Sequence, residues 1–309
     1  MLRDDFGVLK DWIHERRYLK KQERAYSIIR EYVDCFPDFN LNGMCSDVSN
    51  EDIVWQFWNS DSGIGENQKR LLNCCFKSVS RYSLNFKQKI LDINTLRDYI
   101  NLPEIVYAKL KYSRYKGFSY AAFSDLVRAM LLYKYGGIWM DATIYLLNYL
   151  PEDILKSEQG FAFARSNSVD KVTQIKFRHY DSCYFSWSEK TKIKLLSSFL
   201  VAGKNRAIFK ALSEILINIW INEEVYPHYF TFHMIYEDLI ERKKFLPLTS
   251  KSDIGPHLLQ FYKNSPFSND FFVEMIENYP IQKLNWKENE VVRGSNLEWL
   301  LKEGGRDGF

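Results

Sequence analysis

The stretch FSDLVRAMLLYKYGGIWMDATIY, residues 123–145, combines a helix pattern, a glycine pair and a strand pattern. Apolar residues recur three and four positions apart between Ala121 and Tyr135, which predicts a helix with a wide buried face. Gly136 and Gly137 end that helix, because glycine adopts the left-handed cap conformation without a Cβ clash. The alternation from Ile138 to Tyr145 predicts a strand. One face of this strand carries Trp139, Asp141, Thr143 and Tyr145.

Three charged residues stand out within this apolar stretch. Asp125 and Arg128 lie one turn apart on the helix, and Asp141 lies on the strand that follows. A carboxylate buried beside an Asp/Arg pair costs free energy unless it holds a ligand. We therefore predict that the helix and the strand together build a binding site.

The spacing of these residues follows the pattern S-D-x-x-R, then G-G-[IV]-[WY]-x-D about eight positions later. It appears here as Ser124 to Arg128 and Gly136 to Asp141. The pattern resembles the nucleotide-sugar site of the sugar-binding-region glycosyltransferases. These include the bacterial capsular polysaccharide synthesis proteins, the family 32 enzymes, the yeast outer-chain mannosyltransferases and, more distantly, the clostridial toxin glucosyltransferase domains. The resemblance covers roughly residues 53–290 and is tightest over 119–145.

The order of the predicted elements indicates an α/β fold. A strand at 53–58, a helix at 67–80 and a strand at 86–91 precede the motif, which is the rhythm of a largely parallel sheet. The resemblance implies a GT-A-like, Rossmann-type mixed sheet, mostly parallel and flanked by helices. We assign this domain to residues 51–309, after an N-terminal helical extension over residues 1–50.

The second half of the chain has a less regular pattern. We predict strands at 160–165 and 198–202, and helices at 205–222 and 229–241. His233 lies on the last helix and is interpreted as a core histidine. The aromatic, polar stretch 166–192 predicts a hairpin or long loop, which either holds an acceptor or is an ordinary surface hairpin.

Composition excludes several classes of protein. The chain has 309 residues, a hydrophobic fraction of 46% and a net charge of only +3, which argues against nucleic acid as a partner. Five cysteines without metal-ligand spacing indicate reduced thiols and a cytoplasmic protein. We also find no signal-peptide core and no run near the ~20 apolar residues of a spanning helix.

The N-terminal segment is basic and amphipathic over residues 9–33. Such a segment can lie on an anionic membrane, where each basic residue adds about 1 kcal/mol of attraction. It can equally be a solvated helix face packed against the domain. The sequence leaves both interpretations open, and the first predicts peripheral contact with the inner face of the membrane.

The resemblance also implies the residues of the site. Asp141 is expected to be catalytic, and the donor nucleotide sugar is expected to bind Trp55, Gln56, Ser124, Asp125, Arg128, Gly137, Asp141, Thr143 and Lys283. From its position alone, Trp55 is as compatible with the core as with a platform for the base. The late turn containing His257 and the segment 281–287 containing Lys283 are similar to family segments on the phosphate side of the donor.

Metal binding is expected through Asp141 and His257. Most relatives carry D-x-D where this chain has Asp141-Ala142-Thr143, so the second carboxylate is missing. A hydroxyl oxygen and an imidazole nitrogen beside one carboxylate favour Mn²⁺ over Mg²⁺.

The function implied is that of a retaining glycosyltransferase. It would move a hexose from a UDP-sugar, such as UDP-galactose or UDP-glucose, to an oligosaccharide or lipid-linked glycan during capsular or surface polysaccharide synthesis. Two alternatives remain open: transfer to a protein acceptor, as in the toxin domains, and a non-catalytic module that binds a sugar nucleotide or glycan. A nucleotidyltransferase is disfavoured, because the loop after the first strand lacks a phosphate-binding pattern.

Overall fold

The computed structural model describes residues 2–37, 52–59, 64–83, 85–285, 287 and 290–303, and the side chains from residue 17 onward. The helices are α1 (Leu2–Cys35), α2 (Glu66–Tyr82), α3 (Glu104–Tyr112), α4 (Tyr120–Tyr135), α5 (Glu152–Leu155), α6 (Lys171–Tyr180), α7 (Ala207–Asn222), α8 (Thr231–Glu241), α9 (Leu258–Phe261), α10 (Asn269–Asn278) and α11 (Asn296–Glu303). The strands are β1 (Ile53–Phe57), β2 (Lys87–Leu91), β3 (Gly137–Met140), β4 (Ile144–Leu146), β5 (Phe161–Ala164), β6 (Leu195–Ala202), β7 (Thr249–Ser252) and β8 (Ile281–Lys283). The predicted domain boundary at residues 50 and 51 lies outside the described residues.

Six strands form the central sheet, in the order β2-β1-β3-β6-β5-β7. The pairs β1–β2, β1–β3 and β5–β7 are parallel, whereas β6 is antiparallel to both of its neighbours. Five strands therefore run in one direction and their carboxyl ends meet at one edge, where ligands collect in such sheets. This confirms the predicted α/β class with a mostly parallel, helix-flanked sheet.

Helix α4 begins and ends where the sequence predicts. The hydroxyl of Ser119 accepts a hydrogen bond from the backbone N–H of Ala122, which caps the first turn. Gly136 ends the helix at a φ of +69°. A Cβ at this position would lie 2.7 Å from the backbone nitrogen of Lys204, so glycine is required both by the conformation and by the space.

The predicted strand from Ile138 to Tyr145 is wrong in one respect, because two strands occupy it. Strand β3 ends at Met140, and the backbone N–H of Ile144 then donates to the carbonyl of Asp141 in a turn. The chain continues as β4, which pairs with β8 in a separate two-stranded sheet. Both strands are buried on both faces, so the apolar pattern runs through the turn without marking it.

The stretch 166–192 is also different from the prediction, since it contains helix α6 rather than a hairpin. Asp170 caps this helix by accepting from the backbone N–H of Thr173 at 3.0 Å. Only Gln174 and Phe177 of the helix are buried. One short buried stripe among polar residues gives too weak a periodicity to indicate a helix.

Helix α1 packs along α7 and α8. Ala25, Ile29 and Val33 are buried, and the Tyr32 hydroxyl donates to a carboxylate oxygen of Glu223 at 2.6 Å. Arg17, Lys20, Lys21 and Arg24 are exposed. None of the described helices has the length and apolar character needed to cross a bilayer.

Candidate functional site

Arg128 is the centre of a buried polar cluster at the carboxyl edge of the sheet. Its Nη2 lies 3.3 Å from Asp125 Oδ1 and 3.2 Å from Asp141 Oδ1, with only 5% of its side chain exposed. Nη1 donates to the carbonyl of Ser197 at 2.7 Å, and Nε and Nη2 donate to the carbonyl and hydroxyl of Ser124. The guanidinium is therefore held on all sides and links α4 to β3 and β6.

Asp141 follows the last residue of β3, and both of its carboxylate oxygens are bonded. Oδ1 accepts from the indole N–H of Trp139 at 2.9 Å in addition to pairing with Arg128. Oδ2 accepts from the ammonium of Lys283 at 3.1 Å. Burial alone would raise the pKa of Asp141, but the two cations and the indole lower it below its usual range, so the carboxylate stays ionised.

The pKa of Asp125 shifts in the opposite direction to that of Asp141. Burial raises its pKa to about 7, with Arg128 opposing the shift and Asp141 adding to it. Asp125 therefore titrates near neutral pH while Asp141 remains charged. Two carboxylates with separated pKa values around one guanidinium are typical of a functional site.

Strand β8 brings Lys283 into the cluster from a segment far along the chain. The register pairs Lys283 with Ile144, and the backbone N–H of Leu284 donates to the carbonyl of Thr143 at 2.9 Å. The ammonium donates to Asp141 Oδ2 and to the hydroxyl of Thr143. About 24% of the Lys283 side chain is exposed, so it is only partly buried within the cluster.

Of the remaining predicted donor residues, Gln56 and Gly137 lie next to the cluster, whereas Trp55 lies in the core. Gln56 is buried and its side-chain N–H donates to the carbonyl of Asp141 at 3.4 Å, while Gly137 begins β3 with a φ of +91°. Trp55 is fully buried and its ring packs between Tyr99 and Tyr135. Its indole donates to the carbonyl of Gly136, so this conformation offers no free face of Trp55 to a base. Its donor role stays a prediction.

His257 does not join Asp141 in a preformed metal site. Its Nδ1 lies 2.7 Å from the carbonyl of Asp253, and its ring packs against Tyr184 and Phe185. Within the described part of the chain, no three His, Cys, Asp or Glu side chains are grouped to hold a metal ion. Because both oxygens of Asp141 already bind cationic groups, the donor set seen here does not fit Mn²⁺ or Mg²⁺.

A second buried ion pair, which the sequence does not predict, lies at the same edge of the sheet. Arg165 follows β5 and pairs with Asp253 after β7 at 3.0 Å, with at most 2% of either side chain exposed. Its guanidinium also donates to the carbonyls of Tyr184 and Ser186. The pair therefore anchors the aromatic segment after α6 and, through the Asp253 carbonyl, orients His257. Arg165 ends a predicted strand, but no strand is predicted before Asp253, so nothing in the sequence indicates this pair.

His233 lies near the cluster as a neutral histidine. It is buried, and no hydrogen-bond partner of its Nδ1 lies among the described residues. Burial, with a contribution from Arg128, lowers its pKa to about 3. Its ring packs edge-on against Phe230. This agrees with its interpretation as a core residue.

A groove of about 520 Å³ opens at the carboxyl ends of β5 and β7, on the same edge of the sheet as the cluster. Its lining includes Phe163, Asp170, Ser252, Pro256, Asn278 and Tyr279. The groove also touches Ile281, two residues before Lys283, so strand β8 borders both the groove and the charged cluster. The Tyr279 ring packs against Gly255, where a Cβ would lie 2.5 Å from the ring atom Cδ1.

Comparison with known proteins identifies the family. Among curated proteins, none matches this chain. Among solved structures, the chain is similar to one titled "PaToxG Glycosyltransferase", with 11% identity, a TM-score of 0.37 and coverage of 75% of this chain and 80% of that chain. The family described as "Capsular polysaccharide synthesis protein" matches residues 7–297, nearly the whole sequence. This chain therefore belongs to the capsular polysaccharide synthesis proteins, as its motif predicted, and that membership supports the prediction of a glycosyltransferase.

Proposed function

We propose that this chain is a retaining glycosyltransferase that transfers a hexose from a UDP-sugar to a glycan acceptor, lipid-linked, in capsular polysaccharide synthesis. The observation that carries the proposal is the cluster of Asp125, Arg128, Asp141 and Lys283 at the carboxyl edge of the sheet. A charged cluster of this kind, in a member of this family, has the chemistry to bind both parts of a sugar nucleotide.

The two carboxylates and the ammonium would bind different parts of the donor. Sugar and ribose hydroxyls donate hydrogen bonds, which Asp125 and Asp141 can accept. The diphosphate is anionic and favours the exposed side of Lys283. Arg128 holds both carboxylates and leaves little of its own surface open, so we assign it to positioning rather than to direct contact with the phosphates.

The reaction that we propose takes place on one face of the sugar. The bond between the anomeric carbon and the diphosphate oxygen breaks, and the acceptor oxygen bonds to that carbon on the same face. The proton of the acceptor hydroxyl passes to the departing phosphate oxygen. This route retains configuration and needs no carboxylate nucleophile, for which the sequence offers no candidate.

The groove beside Tyr279 is our proposed acceptor subsite. It opens at the same edge of the sheet as Asp141 and combines an aromatic ring with Asp, Ser and Asn side chains. Aromatic faces bind the apolar faces of sugar rings, and the polar groups can bind their hydroxyls.

A binding screen followed by product analysis tests the function. UDP-, GDP- and CMP-sugars are compared by thermal shift, because a ligand that binds only the folded state raises its stability. We expect UDP-sugars to stabilise the protein selectively and to be hydrolysed slowly without an acceptor. Mass spectrometry of glycan and protein acceptors then separates the proposed reaction from protein glycosylation. Binding without any turnover would support a non-catalytic module instead.

A further inference from the structure

We infer that the ammonium of Lys283 takes the place of a divalent cation at Asp141 and that sugar transfer proceeds without a metal. The inference rests on the proposed function and concerns how the negative charge of the donor diphosphate is balanced. It departs from the metal dependence that the family resemblance implies.

Both oxygens of the Asp141 carboxylate are already bound to cationic groups. Asp141 Oδ1 lies 3.2 Å from Arg128 Nη2, and Oδ2 lies 3.1 Å from Lys283 Nζ. Oδ1 also accepts from the indole of Trp139, so a metal ion could bind only the remaining lone pair of Oδ2, directly beside the Lys283 ammonium. It would also stand within a few ångströms of two fixed positive charges, which repel a dication strongly at a partly buried site.

Thr143 stands where the D-x-D pattern has its second carboxylate. Thr143 is buried, and its hydroxyl accepts a hydrogen bond from Lys283. A carboxylate in its place would add a negative charge suited to a dication. With a neutral hydroxyl instead, the pocket formed by Asp141 and Thr143 matches the charge and the donor geometry of one ammonium group.

The amine of Lys283 keeps one N–H donor for a further ligand. An ammonium has three N–H donors, and two of them bind Asp141 and Thr143. Among the described residues the ammonium has no third acceptor, and about 24% of the side chain is exposed, so the third N–H can donate to a ligand at the cluster. The paired strands β4 and β8 hold the amine in this position before the donor binds. Lys283 can therefore donate to a diphosphate oxygen without reorganising the site.

This arrangement also suits the charge that develops during transfer. As the bond to the anomeric carbon breaks, negative charge develops on the terminal phosphate of UDP before the acceptor proton reaches it, and a fixed cation at that point lowers the barrier. Lys283 would supply the cation, while Asp141 and Thr143 keep it in place.

The test measures UDP binding by calorimetry, and UDP-sugar hydrolysis or transfer, in excess EDTA and after Mn²⁺ addition. We expect UDP affinity and turnover of the wild-type protein to change by less than about 2-fold between the two conditions. Lys283→Met should lower kcat by about 100-fold or more, which is typical for loss of a group that stabilises charge in the transition state. Lys283→Arg keeps the charge and should recover part of the activity.

Rescue by Mn²⁺ and a control lysine variant separate metal-free transfer from a metal-dependent reaction. Lys283→Met empties one oxygen of Asp141, so Mn²⁺ should partly restore this variant but not the wild type. Lys69→Met, at an exposed lysine on α2 away from this segment, serves as the matched control and should behave like the wild type. If UDP binds and turns over only when Mn²⁺ is present, the inference is overturned while the proposed function stands. If no nucleotide or nucleotide sugar binds in either condition, the proposed function itself fails.

Discussion

Arg128 Nη2 lies 3.2 Å from Asp141 Oδ1 and so joins helix α4 to the carboxyl end of strand β3. Helix α4 ends at Tyr135 and β3 begins at Gly137, so only Gly136 separates them, and its positive φ of 69° lets the chain turn from the helix into the strand. The spacing of the motif therefore has a physical cause, because it places Arg128 on the helix opposite Asp141 at the end of the strand.

The first prediction concerns Asp141. Asp141→Asn keeps the shape of the side chain but removes the charge that binds Arg128 and Lys283. We expect kcat for UDP-sugar turnover to fall by about 100- to 1000-fold, since the group acts on charge at the reacting centre. Circular dichroism should show an intact fold. Asp98→Asn, at an exposed aspartate in a surface turn, is the matched control, and equal activities of the two variants would remove Asp141 from the site.

The second prediction concerns the stability that Arg128 contributes. Arg128→Met leaves Asp125 and Asp141 buried without their shared partner, and breaking such a buried pair costs about 3–5 kcal/mol in the free energy of unfolding. Arg97→Met removes an exposed pair with Glu104, whose side chains are 50% and 77% exposed, and should cost less than about 1 kcal/mol. Urea denaturation measures both. Similar losses would mean that the cluster is not structurally coupled.

The third prediction is a pH dependence of stability caused by Asp125. Its pKa rises from 3.8 to about 7 on folding, because burial disfavours the charged form. Between these values the folded protein binds more protons than the unfolded chain. The contribution of Asp125 to the free energy of unfolding therefore decreases as pH rises through this window, with a slope of at most about 1.4 kcal/mol per pH unit.

Asp125→Asn isolates this contribution, because the other titrating groups cancel in the comparison. The difference in the free energy of unfolding between wild type and variant should shift in favour of the wild type as pH falls from about 7 to about 5. Urea melts across this range measure the difference. A constant difference would show that Asp125 keeps its ordinary pKa. The lowered pKa of Asp141 does not interfere, since its stabilising effect is lost only below its unfolded value.

The sequence predicts the part of the site whose residues lie close together in the chain. The helix, its glycine cap and the positions of Asp125, Arg128 and Asp141 follow from periodicity and from one motif within residues 120–141. The other half depends on long-range pairing. Strand β8 places Lys283 beside Asp141, 142 positions earlier, and only the family resemblance pointed to that lysine.

Two features that the sequence analysis missed, the turn after Met140 and the ion pair of Arg165 with Asp253, also depend on long-range packing. The turn after Met140 is hidden because β3 and β4 are both buried on two faces, so the apolar pattern does not change where the chain leaves the main sheet. The ion pair of Arg165 with Asp253 joins two strand ends 88 positions apart. No local pattern signals that two charged residues will be buried together, because each alone has the pattern of an exposed residue at a strand end.

The fourth prediction tests the groove as the acceptor subsite. Tyr279→Ala removes the aromatic wall, and we expect the KM for the glycan acceptor to rise by about 10-fold or more while donor hydrolysis without acceptor stays unchanged. Tyr262→Ala is the control, because Tyr262 has a similar exposure of 37% and does not line the groove. Steady-state kinetics with each substrate varied in turn separates the two effects. An unchanged acceptor KM would place the acceptor elsewhere.

The fifth prediction decides between the two interpretations of helix α1. Its buried residues face α7 and α8, whereas Lys20, Lys21 and Arg24 are exposed, so replacing these three by glutamine leaves the packing intact. If the helix contacts the membrane, the triple variant should bind phosphatidylserine vesicles more weakly, by about 1 kcal/mol for each lost charge, and added salt should have the same effect. The control replaces three exposed lysines elsewhere, Lys69, Lys176 and Lys190. Cosedimentation measures binding, and equal losses for both triple variants would reveal only a general attraction of positive charge to the vesicles, with α1 as an ordinary solvated helix.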